Sequence, residues 1–177
     1  MNEPLYTSLK RYLCPQHAEL VKADLLALVQ GAKVSIDVGI YGFAWKPLVD
    51  LLIQKHKDGV KVRIVLDRTQ AGGVGEREYI QEIVDAGIEH YIGTSEQHQI
   101  RHTKNIIVDG THGECGSLNY SESGFRQNNT VELFTDIALA KFTTDDLEEN
   151  IAWLVANEPQ YQQLFKEPAA LNKIESK

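Results

Sequence analysis

His102, Lys104, Asp109, Ser117 and Asn119 all fall within the stretch HTKNIIVDGTHGECGSLN, residues 102–119. The spacing runs His-x-Lys, four residues, Asp, six residues, Gly116-Ser117, one residue, Asn119. Strand period would place His102 and Lys104 on one face, and Ser117 and Asn119 on one face of a partner strand. Asp109-Gly110 between them is a favoured hairpin pair. Paired in that way, the two strands bring a nucleophile or acid, a cation and two hydrogen-bonding side chains into one patch. Phosphoryl chemistry needs those parts. Lys104 offsets phosphate charge, Ser117 and Asn119 hydrogen-bond the non-bridging oxygens, and His102 attacks phosphorus or moves a proton. Asp109 sits at the turn, an odd number of residues from Lys104, and reads as a structural charge, with Gly116 part of the same frame.

Elements must hold this stretch in place. Residues 17–30 carry Leu20, Val21, Leu25, Leu28 and Val29 on one helical face, with Pro15 before and Gly31 after. Val34, Ile36, Val38 and Ile40 alternate, as in a strand over 33–44. A helix over 46–58 closed by Gly59, a strand over 60–67, a helix over 76–86 stopped by Gly87 and a strand over 88–92 follow. The Gly-rich segment 68–78 lacks the G-x-G-x-x-G spacing and reads as a loop near the strand ends. After the hairpin come a strand over 128–136 and a long helix over 137–156. That helix is expected to turn Ile137, Leu139, Ala140, Phe142, Leu147, Ile151, Leu154 and Val155 inward. This alternation predicts an α/β layered fold with a mixed, largely parallel sheet flanked by helices. One domain over 1–177 is expected, with its core at about 17–166 and a frayed tail at about 168–177.

The 177 residues are 42% hydrophobic and 24% charged, a globular composition. The net charge of −7 argues against a non-specific nucleic-acid coat but leaves room for a small positive phosphate site. Apolar runs are broken by charge before the ~18 residues a membrane span needs, and no basic amphipathic stretch stands out. The N-terminus does not read as a signal peptide, so the expected setting is the cytoplasm, without stable membrane association. Cys14 and Cys115 lie far apart and read as reduced packing residues. His90, His98 and His112 have no H-E-x-x-H partner, so neither a metal nor a cofactor is expected.

The run from His102 to Asn119 resembles the phospholipase D superfamily signature, His-x-Lys-x4-Asp-x6-Gly-Ser-x-Asn, at every named position. Upstream, IDVGIYGFAWKPLVDLLIQKHKDGVKVRIVLD (36–67) resembles the family's strand–helix–strand opening. The resemblance covers about 20–156. It implies a phospholipase D-like fold and a phosphodiesterase; members with one motif per chain are small phosphodiesterases, often nucleases, that act as homodimers. This chain carries one motif. In-line displacement needs one group attacking and another protonating the leaving oxygen from the far side, which a two-fold axis pairing two His102 side chains would supply. The reading is therefore a metal-independent endonuclease working through a phosphohistidine as a homodimer, with nucleic acid as substrate. A lipid phosphodiesterase and a silent phosphate-binding module are the alternatives. The family also has an acid in an Asn-x-Glu sequence about ten residues after Gly-Ser, orienting the histidine. Here Gln127-Asn128-Asn129-Thr130-Val131-Glu132 leaves two candidates, Glu132 in a shifted register or Asn129 as a neutral acceptor.

Overall fold

The computed structural model describes residues 8–165. In chain order they form β1 (Ser8–Cys14), α1 (Ala18–Gly31), β2 (Ser35–Ile40), β3 (Phe43–Ala44), α2 (Lys46–Lys57), β4 (Lys61–Asp67), α3 (Arg68–Ala71), α4 (Arg77–Asp85) and β5 (Glu89–Gly93). Then come β6 (Lys104–Val108), β7 (His112–Gly116), β8 (Tyr120–Ser121), α5 (Glu122–Arg126), β9 (Asn129–Thr135), α6 (Ile137–Asn157) and a short 3-10 helix, Pro159–Gln163. The expected tail at 168–177 lies outside the described residues.

Seven strands make one sheet in the order β1-β9-β7-β6-β2-β4-β5, and β3 pairs with β8 beside it. The sheet is mixed, as the sequence pattern predicts, but its parallel part is confined to β2, β4 and β5. The expectation of a largely parallel sheet is corrected by the second half of the chain. The loop 109–111 between β6 and β7 is too short for a crossover, so these strands must run antiparallel. β6 also runs antiparallel to β2, and β9 to both β7 and β1. Strand β1 lies ahead of the expected core start at residue 17 and pairs with β9 along its whole length.

One face of the sheet packs under α1, α2 and α4. Val21, Leu25 and Val29 of α1, Leu48, Val49 and Leu52 of α2, and Ile80 and Ile83 of α4 are buried there against Ile36, Val38, Ile64 and Ile106. The last turn of α2 carries Lys55, His56 and Lys57, which suit the negative end of a helix, and Gly59 at φ +90° ends it in a backbone conformation that side chains resist. The opposite face is covered by α6, through Leu147, Ile151 and Leu154 on Val65, and Ala140 on Ile107 and Phe134. A buried ion pair, Arg63 Nε to Asp37 Oδ1 at 2.6 Å, lies on that side and reaches Glu148 of α6 at 2.6 Å.

The inward face of α6 is narrower than the sequence suggests. Ile137 and Phe142 are 69% and 72% exposed, and Leu139 and Val155 are also exposed. Successive helical residues turn by roughly 100°, so Phe142 stands on nearly the opposite side from Ala140. The buried stripe follows Ala140, Leu147, Ile151 and Leu154, with Asn150 buried beside them.

Candidate active site

Three chain segments meet at the end of the sheet where β2 finishes and β6 begins. His102 and Thr103 precede β6, Tyr41 and Gly42 follow β2, and Ser117 to Asn119 follow β7. His102, Ser117 and Asn119 thus lie just past the strand ends rather than within strands as expected, while Lys104 is the first residue of β6.

The dipeptide Tyr41-Gly42 stitches the two halves of the motif together. Tyr41 N–H donates to Thr103 O at 3.0 Å, and Gly42 O accepts from Tyr120 N–H at 2.9 Å. Gly42 N–H donates to Asn119 Oδ1 at 3.2 Å, which fixes the amide's orientation. The Tyr41 ring meets the exposed His102 ring edge-on, centroids 4.7 Å apart. The Lys104 ammonium lies 4.9 Å from the centre of the same Tyr41 ring and donates to His102 O at 2.8 Å. Only 4% of Lys104 is exposed. Its burial pulls the ammonium down to about 8, against the opposing pull of the Asp67 carboxylate. Lys104 remains a cation at neutral pH, desolvated where an anion would feel it most.

Asp67, at the end of β4, anchors the approach to His102. Its Oδ2 accepts from Arg101 N–H at 2.7 Å and its Oδ1 from Thr69 N–H at 2.9 Å, capping α3. Asp109 works at the far end of β6. It takes a left-handed φ of 53°, and its carboxylate accepts from the amides of Lys33, Val34 and Ser35 at 2.8–3.2 Å. These bonds hold its carboxyl below the ordinary range against the cost of burial. Asp109 therefore ties the motif hairpin to the start of β2, far from the reacting group.

Ser117 joins the second arm of the site. Its hydroxyl donates to Asn129 Oδ1 at 2.9 Å and accepts from Thr130 N–H at 3.1 Å, while Asn129 Nδ2 donates to Gly124 O at 2.9 Å. Gly116 leaves room for β9 to pass close by: a Cβ there would stand 2.2 Å from Thr130 O. Of the two candidates for the orienting residue, Asn129 borders the site through Ser117. Glu132 does not join it. In β9 it lies opposite Cys115 on one side and Arg11 on the other, and it forms an ion pair with Arg11. Cys115 turns toward α6, packed with Ile107 and Phe134.

Tyr41, Gly42 and Asp67 were not singled out in the sequence for this site. Their signal was positional: they stand at the carboxyl ends of parallel strands β2 and β4, where open α/β sheets bind their ligands. A cavity of about 470 Å³ opens beside Asn119, floored by the segment 70–79. Another of about 280 Å³ opens beside His102, toward Arg101 and α6. Among the described residues no three His, Cys, Asp or Glu side chains gather as a metal-binding group, and no helix is long and apolar enough to cross a membrane.

A family model described as "Cardiolipin synthase, PLD-like domain" matches residues 25–155. The chain belongs to the phospholipase D superfamily. A mitochondrial cardiolipin hydrolase of Xenopus laevis is 28% identical over 135 residues, which are 76% of this chain and 62% of that protein. A phospholipase D of Rickettsia prowazekii is 33% identical over 116 residues, 64% of this chain and 54% of that one. The chain thus spans about three-fifths of the length of these relatives. Among solved structures, Nuc of Salmonella typhimurium, a phospholipase D family member, superposes with a TM-score of 0.72 at 25% identity, covering 81% of this chain and 93% of its own. NucT of Helicobacter pylori shares the fold at a TM-score of 0.73 and 16% identity, covering 82% of this chain and 96% of its own.

Proposed function

We propose that this chain is a metal-independent phosphodiesterase that cleaves nucleic acid, working as a homodimer with two His102 side chains facing one phosphate. The observation that carries the reading is the convergence on Tyr41: an exposed imidazole and a desolvated ammonium share one ring, with the Asn119 amide fixed by the neighbouring Gly42. His102 attacks phosphorus through a ring nitrogen as the ester P–O bond breaks. The partner subunit's His102, protonated, gives its proton to the leaving oxygen. It then takes a proton from water as the water oxygen attacks phosphorus and the P–N bond breaks. Lys104 and Asn119 stabilise the charge on the non-bridging oxygens in both steps. Ser117 belongs to the same arm through its bond to Asn129.

Nucleic acid is favoured by the walls of the two cavities, one beside Asn119 and one beside His102, which are mostly Gly, Ser, Gln, Asn and acidic residues; Ala44 and Ile100 are their aliphatic members. An acyl chain would gain little there. The relatives that act on cardiolipin favour the second reading, a lipid phosphodiesterase. The test is turnover of bis(p-nitrophenyl) phosphate with and without EDTA, followed by single- and double-stranded DNA, RNA and cardiolipin vesicles. Turnover that survives EDTA, prefers a nucleic acid, and falls by several powers of ten in both His102→Ala and Lys104→Ala is expected. Full activity at the mass of one chain would refute the dimer. Net inversion at a chiral phosphorothioate would refute the phosphohistidine.

A further inference from the structure

The cavity beside Asn119 contains a carboxylate that neither the fold nor the proposed chemistry uses. Glu76 immediately precedes α4 and is 9% exposed. One of its oxygens is engaged by a backbone hydrogen bond from Phe43, and Oε2 is buried without a hydrogen-bond partner. A buried acceptor left unpaired is costly, and nothing among the described residues completes this one. Its own helix gives it no role, because the side chain does not cap α4. Glu76, Asn119 and Gly42 line the same cavity, which sets this side chain next to the group that would hold the phosphate.

The charge of this cavity decides what enters it. Besides Glu76 it is lined by Glu122, whose carboxylate is paired with the Lys22 ammonium at 3.3 Å, and among the described residues no Lys or Arg lines it. A second phosphate would be repelled there. A neutral group presenting an N–H or O–H donor would be attracted. The shape points to a flat group. Gly42, Gly73 and Gly75 carry no side chain into the space, and a Cβ at Gly75 would meet nothing within 4 Å. The half-buried Tyr79 supplies an aromatic ring on the same wall. About 470 Å³ is within the range of small-ligand pockets and accepts a nucleoside beside a phosphate at Asn119.

We propose that this cavity is a nucleobase subsite for the nucleotide joined to the scissile phosphate, and that Glu76 selects bases presenting an exocyclic amino group. A carboxylate accepts a hydrogen bond from the N4 amino group of cytosine, the pairing that acidic side chains use on that base. Uracil and thymine place a carbonyl oxygen at that position, which sets acceptor against acceptor and leaves both unpaired. The inference rests on the nucleic-acid reading above. It deepens that reading by naming which base is preferred and which residue reads it.

Equilibrium binding separates the two ideas, because it needs no turnover. Calorimetric titration of the full chain with dCMP and with dUMP, as both 5′- and 3′-monophosphates, at pH 8 should show dCMP binding about ten-fold more tightly in at least one of the two series. Glu76→Gln, which keeps the volume and offers an amide donor to the uracil carbonyl, should bring the ratio to unity or reverse it. Equal affinity of the natural chain for dCMP and dUMP in both series overturns the subsite, whatever the chain cleaves and whether or not the variant folds. An unchanged preference in folded Glu76→Gln overturns the role of Glu76. A preference for dCMP that vanishes in the variant, in a chain that turns over no diester, would retain the subsite and sink only the phosphodiesterase reading.

Discussion

Gly42→Ala tests how tightly the site depends on the segment after β2. No left-handed φ is required at Gly42, so the backbone accepts alanine, and the space does not. The new Cβ would lie 2.9 Å from Asn119 Cγ, 3.1 Å from its Cβ and 3.2 Å from its Oδ1. Relief requires the amide to retreat by about half an ångström, given carbon–carbon contacts that are optimal near 3.5–4.0 Å. The 3.2 Å bond from Gly42 N–H is already long and would not survive that retreat. A reacting group displaced by ~1 Å loses about a hundred-fold in rate, so a loss of roughly ten- to a hundred-fold in kcat is expected. Asn119 is half-buried and can yield, which keeps the folding penalty near the low end of the ~1–3 kcal/mol typical of overpacking. The assay is kcat and KM on bis(p-nitrophenyl) phosphate together with a thermal melt. Gly31→Ala serves as the control, since a Cβ there meets nothing within 4 Å. Gly42→Ala that folds normally and keeps the kcat of the natural chain would refute the argument that this glycine positions Asn119.

Glu132→Gln should change kcat by no more than about two-fold, because Glu132 is engaged by Arg11 across β1 and β9; a hundred-fold loss would return it to the site. Glu114→Gln should alter the pH dependence of stability. Glu114 is fully buried, with Oε1 unpartnered and Oε2 accepting from Tyr120, and burial pushes its carboxyl up from 4.5 to about 8. Between those values the folded state holds a proton that the unfolded state has released, so this group lowers stability as pH rises, by up to ~1.4 kcal/mol per pH unit. Chemical denaturation at pH 5, 6.5 and 8 should show Glu114→Gln gaining on the natural chain at each step, and parallel curves would refute the assignment.

The motif and the elements that carry it were legible because each had a strong local signal: alternation in β2, glycine stops after α2 and α4, and the Asp109-Gly110 turn. Strand β1 was not. SLKRYLC alternates poorly because it is an edge strand whose side chains are mostly exposed, so no buried face imposed a period. In α6, the residues 137–157 are apolar over a wider arc than the sheet covers, and only tertiary packing shows which stripe is used. Glu132 misled as an orienting residue because residue order in β9 does not reveal that Arg11, far away in the chain, is its neighbour. Tyr41 and Gly42 belong to no motif, and their role arises from loops separated by about sixty residues or more.

The pairing of β1 with β9 has a consequence for the order of synthesis. Strand β1 leaves the ribosome ahead of β9 and must wait for it, across the 114 residues that lie between Cys14 and Asn129. At roughly 5–20 residues per second that is about ten seconds as an unpaired strand, open to association with other chains. Lys10 and Arg11 sit in the middle of it, and charges there disfavour edge-to-edge association. The cations that later pair with Asp24 and Glu132 thus protect the nascent strand before either bond exists.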